Sequence, residues 1–235
     1  MTAVFDGVEA AVVAALDSVF DPELDESLLR LGFARAEVLA EGRVRVDLRL
    51  PTYWCAGNFA YLMADDARKA VAAVPGVRSV EVTLHDHFAS KEVSSGVGRG
   101  GSFDDAFGDL SDGSGLEALR RLFWAKAFTM REEQLLRALV ARGHTHEELA
   151  VMRLGDVTDG GELLARYVER RRRLDLPVGD DAPLAVMPNG RPIGAEELAN
   201  WLRRARSTRI SLEANTTLCV GLHATRYRDN AEVRR

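Results

Sequence analysis

One cysteine stands where its chemistry would be strongest. Cys55, in RLPTYWCAGN at residues 49–58, follows an alternating strand pattern and precedes a helical one. A thiol at a helix N-terminus meets the positive end of the helix dipole and free backbone N–H groups, which favour the thiolate. A thiolate binds metal or attacks an electrophile. Asn58 is the expected helix cap, while Pro51 and Gly57 shape a loop whose backbone comes close to whatever Cys55 touches. The same position also suits a small buried hydrophobe, the commoner use of a free cysteine.

Two other clusters carry candidate ligands. In FDPE, Asp21 and Glu23 flank Pro22, whose fixed φ would hold both carboxylates in a defined orientation. A helix stop with a solvated acidic turn is the competing reading. In LHDHF, His85 and His87 could supply neutral imidazoles and Asp86 an oxygen. There the competing reading is a solvated strand end. His144 and His146 fall at a helix start and suit capping or surface polarity.

The elements that must position these residues follow from periodicity. Phe5, Val8, Val12, Ala15, Leu16 and Val19 recur at helical spacing and stop before Pro22. Alternating runs at 33–39 and 44–50, joined by a turn at Glu41-Gly42, predict a β-hairpin. Phe59, Leu62, Met63, Ala67, Ala70, Val71 and Val74 predict a second helix that ends at Pro75-Gly76, and VRSVEVTLH predicts a third strand. The expected fold is α+β, a small three-stranded sheet packed by two helices over residues 1–93. SSGVGRGGS, residues 94–102, reads as a flexible linker. Residues 103–235 read as a mainly helical domain, with Thr145 and Glu148 as a capping box, Gly143 as a helix stop and PLAVM as an extended piece. No internal repeat is present.

Composition narrows the function classes. The 235-residue chain is 46% hydrophobic, enough for packed cores. It has no run of about 18 apolar residues, and its first residues are acidic where a signal peptide would be basic, so a cytoplasmic protein with no membrane partner is expected. Two cysteines make no disulfide framework and no four-cysteine zinc site. Residues 1–93 hold 9 Lys and Arg against 15 Asp and Glu, giving −6, and the remainder hold 22 against 21, giving +1. Neither half has the basic excess of a protein that grips nucleic acid through phosphates.

The segment from VFDPELDESLLRLGF through RLPTYWCAGN to VPGVRSVEVTL resembles the iron-sulfur assembly domain of SufT and PaaD proteins and of cytosolic iron-sulfur targeting factors. The shared pattern is Asp-Pro-Glu, Leu-Gly, a hairpin, a loop with threonine and one cysteine, a helix and Pro-Gly-Val, over about residues 6–90. The resemblance implies delivery or insertion of iron-sulfur clusters or related metal centres into client enzymes, with the loop cysteine reactive. Asp21, Glu23, Thr52 and Cys55 are the matching positions. The chain departs where many relatives have Cys-Pro, since Cys55-Ala56 stands here with bulky Tyr53 and Trp54 before it. PaaD-like relatives also carry a cysteine-rich tail, and nothing here matches it.

A cluster usually takes four thiolates or a mixture with histidine. Cys55 would therefore hold a transient iron-sulfur cluster or iron, shared between subunits of a homodimer or completed by His85 and His87. The partners implied are a client metalloenzyme, a multicomponent oxygenase among the candidates, and other assembly proteins. The competing function is a protein-binding adaptor in which Cys55 is only packed.

The C-terminal half offers no phosphate loop, HExxH pair or GxSxG elbow. HATRY has the His-x-x-Arg spacing of tyrosine recombinases in His223 and Arg226, but His144 occupies the family's early arginine position and no nucleophile tyrosine follows Tyr227. Arg170 to Arg173 read as a solvated helix face with Tyr167 on its buried side. With no base positioned for a thiol enzyme, the chain is expected not to be an enzyme, and its second domain to recognise the client.

Overall fold

The computed structural model describes residues 2–108 and 111–232, with side chains described from residue 7 to residue 227; the side chain of Phe5 lies outside them. The chain divides into two compact units, residues 1–117 with 215–235, and residues 118–214.

The first unit opens with helix α1 (Thr2–Asp17), whose Val12 and Leu16 are fully buried. Strands β1 (Phe20–Asp21) and β2 (Glu26–Ser27) pair across the DPEL turn, Phe20 opposite Ser27 and Asp21 opposite Glu26. The hairpin is β3 (Ala34–Val38) and β4 (Arg43–Arg49), antiparallel with Ala34 opposite Leu48 and Val38 opposite Val44. Its turn uses positive φ at Glu41 (62°) and Gly42 (71°). A Cβ on Gly42 would lie 2.4 Å from the Gly76 carbonyl oxygen, so glycine is required there twice over. Helix α2 (Gly57–Ala72) then crosses to β5 (Ser79–His85), which lies parallel to β4 from Arg43 opposite Ser79 to Arg49 opposite His85. A parallel neighbour needs such a crossover. Val44, Val46, Leu48, Val82 and Leu84 face one core with Val12, Leu16, Phe33, Ala64 and Val71, as the period-2 and helical patterns predict.

The stretch expected as a linker at 94–102 is instead packed. Helix α3 (Ser90–Gly98) buries Val93, Gly96 and Val97, and α4 (Phe103–Phe107) is capped by Ser102 and Asp105 in a capping box. A Cβ on Gly96 would come 2.5 Å from that of Ala106, so the small residues allow close approach rather than mobility. The division between units falls at Glu117 and Ala118.

The second unit holds most of α5 (Glu117–Ala141), α6 (His146–Val151), α7 (Gly161–Arg173) and the first part of α8 (Ala195–Glu232). Thr145 and Glu148 form the expected capping box, and Gly143 ends α5 at φ 103°. Leu135, Leu136, Leu139, Leu149, Tyr167, Leu184 and Ile193 form its core. The four-arginine run is not a solvated face, because Arg170 and Arg171 are buried. Arg171 is 1% exposed and donates to the carbonyl oxygens of Pro177 and Pro183, both at 2.8 Å. Carbonyls of a folded loop replace water around its guanidinium.

Candidate functional site

The parallel register brings the ends of β4 and β5 to the same edge of the sheet, so the segments after Arg49 and His85 emerge side by side. Cys55 lies in the first and His87 in the second. The Phe88 N–H donates to the Tyr53 carbonyl at 3.0 Å. The His87 ring is buried; its Nδ1 accepts from the Ala89 N–H at 3.1 Å, which leaves the proton on Nε2, 2.7 Å from the Cys55 carbonyl oxygen. Burial pushes the imidazole pKa down, opposed by that bond, and the Arg226 charge pushes it the same way as burial. His87 is thus a neutral strut that fixes the Cys55 backbone, with both ring nitrogens occupied.

Cys55 is half-buried, with its Sγ 3.2 Å from Thr52 Oγ1. The cap of α2 is Ala56 rather than Asn58, and it makes no side-chain hydrogen bond; Asn58 Oδ1 accepts from the Phe59 N–H inside the first turn. The loop cannot place Asn58 at the cap because Gly57 already begins the helix. Around the thiol stand exposed aromatics, Tyr53, Phe88 and Trp54, the last 76% exposed. His85 Nε2 lies 2.6 Å from Asp47 Oδ1 on the neighbouring strand and is engaged there.

The acidic turn is not solvated as one reading of it expected. Asp21 is buried, and its Oδ1 accepts from the Glu23 N–H at 2.8 Å and the Leu24 N–H at 3.1 Å, while Glu23 is exposed. Burial pushes the Asp21 carboxyl up to about 7, against the pull of those two bonds, with the Glu23 charge adding to the rise. The folded chain therefore holds this proton more tightly than the unfolded one, so the stability it contributes is present below pH 4 and is lost as pH rises to about 7. The loss is on the order of 4 kcal/mol. Asp21→Asn keeps the accepting oxygen and removes the titration. Urea unfolding between pH 4 and 8 should show wild type falling relative to the variant across that window; parallel curves would place the proton elsewhere.

The sequence reading missed the part of the site that comes from α8. Residues 215–227 belong to the first unit. Arg226 donates to the Leu50 carbonyl at 3.3 Å and to the Asp86 carbonyl, joining the two segments that frame Cys55. His223 packs its ring on Phe33, centroids 5.0 Å apart, and Tyr227 packs on His223 at 4.7 Å. The His-x-x-Arg pair is thus structural at the Cys55 loop. Cys219 packs against the same core as Cys55, and burial, reinforced by the negative charge of Asp21, Cys55 and Glu23, pushes its thiol up to about 11. The signal available was the spacing of Cys219, His223 and Tyr227, four residues apart each time, which lines one helix face.

The site thus sets Thr52 against the Cys55 sulfur, with Cys219 packed on the same core from α8. Among the described residues, no three histidine, cysteine or acidic side chains converge as a metal-holding group.

The profile of the iron-sulfur cluster assembly protein family matches residues 9–84. An uncharacterised protein of Methanocaldococcus jannaschii is 36% identical over 84 residues, which are 35% of this chain and 86% of the relative. An iron-sulfur cluster carrier protein of Synechocystis is 40% identical over 74 residues, 32% of this chain, and the match spans only 20% of that protein's length. Both matches are short beside the whole chain, and the profile runs from the second half of α1 through nearly all of β5, the stretch that carries Asp21, Glu23, Thr52 and Cys55. Through residues 9–84 the chain belongs to the iron-sulfur cluster assembly protein family.

Proposed function

We propose that the first unit carries an iron-sulfur cluster, or iron destined for one, as cargo and passes it to a client metalloenzyme through Cys55. The observation that carries this reading is the Cys55 loop itself, a half-exposed thiol on a backbone fixed by His87 and Arg226. A fixed backbone holds the sulfur ready for an incoming ligand, and incomplete coordination lets a client's ligands displace it. Tyr53, Trp54 and Phe88 give a client an apolar rim beside the thiol. The second unit serves client recognition, which its exposed Leu122, Val151 and Ile210 support. No helix among the described residues is long and apolar enough to cross a membrane, and the free thiols of Cys55 and Cys219 suit a reducing cytoplasm.

The test is iron and sulfide retention after anaerobic reconstitution, wild type against Cys55→Ser, with circular dichroism to establish equal folding. Wild type should retain both, and the variant at least fivefold less. Equal retention would remove Cys55 from the chemistry, and no retention by wild type would overturn the cargo reading.

A further inference from the structure

We infer that α4 is a lid on the Cys55 loop, closed by seating its two phenylalanines against α2 and opened by glycine hinges on either side. The inference deepens the cargo reading and rests on it only for what the opening admits.

The seat is made of ring edges and close backbone approach. Phe103 and Phe107 stack with centroids 4.5 Å apart, and the Tyr61 ring on α2 meets both edge-on, at 5.7 and 6.4 Å. The Tyr61 hydroxyl donates to the Gly101 carbonyl at 2.6 Å, just ahead of α4. Ala106 lies against Gly96 of α3. The Phe107 ring stands 3.1 Å from where a Cβ on Gly57 would be, and the Phe88 ring 3.6 Å from it. Gly57 opens α2 and follows Cys55 by two residues. The lid therefore covers the turn next to the thiol, where it meets the same Phe88 whose N–H donates to Tyr53.

The hinges are glycines that no neighbour requires. Gly96 needs a bare backbone to admit Ala106, but a Cβ on Gly98, Gly100 or Gly108 would meet nothing within 4 Å. Gly100 (φ 67°) and Gly108 (φ 50°) sit in the left-handed region, which glycine enters and leaves without steric cost. Between these hinges α4 has five residues, too few to hold a helix by its own hydrogen bonds, and none of them is buried. Such an element opens at less cost than the unit unfolds. The cap of α2 makes no side-chain hydrogen bond, so opening bares the first-turn N–H groups beside Cys55 to an arriving anionic cluster.

Hydrogen exchange of the full chain at neutral pH, with Cys55 alkylation followed by peptide mass spectrometry, tests the lid. Amides of residues 57–59 and 102–108 should exchange together, well ahead of β4 and unchanged by low urea. Phe107→Ala should speed both segments and Cys55 alkylation several-fold, and Tyr61→Phe, which removes only the hydroxyl, should move them the same way by less. Gly98→Ala, with open space for its Cβ and a φ outside the left-handed region, should slow all three. Val46 is fully buried on β4, and Val46→Ala should leave these rates within about a factor of two. If Val46→Ala speeds them as much as Phe107→Ala does, the whole unit opens and the inference fails. It fails also if residues 57–59 stay protected while Phe107→Ala frees 102–108. A preformed two-iron cluster carrying glutathione thiolates separates lid from cargo. Faster uptake by Phe107→Ala than by wild type supports both, and equal uptake overturns the gating. No uptake by either protein, with the exchange results intact, removes the cargo reading and leaves the lid.

Discussion

Replacing Arg171 by alanine is expected to cost the second unit about 3–5 kcal/mol, because it removes one partner from a buried charged network. The guanidinium donates to Pro177, Pro183 and Leu184 carbonyls and to the Tyr167 hydroxyl, and stacks over the Tyr167 ring at 5.4 Å. The Tyr167 hydroxyl reaches Glu132 Oε1 at 3.1 Å. Glu132 is fully buried, accepting also from the Val186 N–H at 2.9 Å and Trp201 Nε1 at 2.7 Å. Burial pushes its carboxyl up to about 7, against these bonds and the Arg171 charge. Without Arg171 the carbonyls lose their donors and the carboxylate loses its balancing charge, each a desolvation cost with no return. Urea unfolding followed by fluorescence in a Trp54→Phe, Trp124→Phe background, where Trp201 alone reports, reads the loss. Arg171→Lys, which restores charge without the fork of donors, should recover only part of it. A loss under about 1 kcal/mol for alanine would mean that water enters and replaces the guanidinium.

The same network marks a limit of sequence reading. The hairpin, both packing helices, the third strand and the capping box at Thr145 were legible because each is written in a local period or a local residue pair. Arg170 and Arg171 were not, since a run of charge carries no mark of the carbonyls that a later loop, at Pro177 and Pro183, will bring over it. The solvated reading of Asp21 failed for a related reason. An acidic turn reads as wet until β1 and β2 close over it and two N–H groups replace the water. Gly96 failed in the other direction, because lack of side chain means freedom in an open chain and close packing against Ala106 in a folded one. At the candidate site, Cys55, Thr52 and the DPE turn could be found from residues near them in sequence. For Cys219 the sequence offered only the helix face it shares with His223 and Tyr227, and for Arg226 nothing, since their place in the first unit exists only after the C-terminal segment of α8 returns to it.

That return depends on a surface for the helix to meet, and Phe33→Ala should remove it. Phe33 is 1% exposed, fixed by hydrogen bonds from its N–H to Leu28 and from Arg49 to its carbonyl, and its ring carries His223. Deleting a buried phenyl group costs about 3–5 kcal/mol in lost transfer energy and cavity. Here the cavity opens directly beneath α8, so the helix segment loses its packing as well as the unit losing its core. Urea unfolding should report the first effect. The second is read in a Cys55→Ser background as faster alkylation of Cys219, several-fold above the parent under native conditions. Leu16→Ala separates the two, because Leu16 is fully buried on α1 in the same core and has a comparable expected cost, about 2–5 kcal/mol. If Leu16→Ala leaves Cys219 protected while Phe33→Ala exposes it, the helix opens locally and Phe33 is its seat. If both expose Cys219 equally, the segment opens only when the whole unit does, and the Cys219 thiol is as firmly built into the fold as the sheet that carries Cys55.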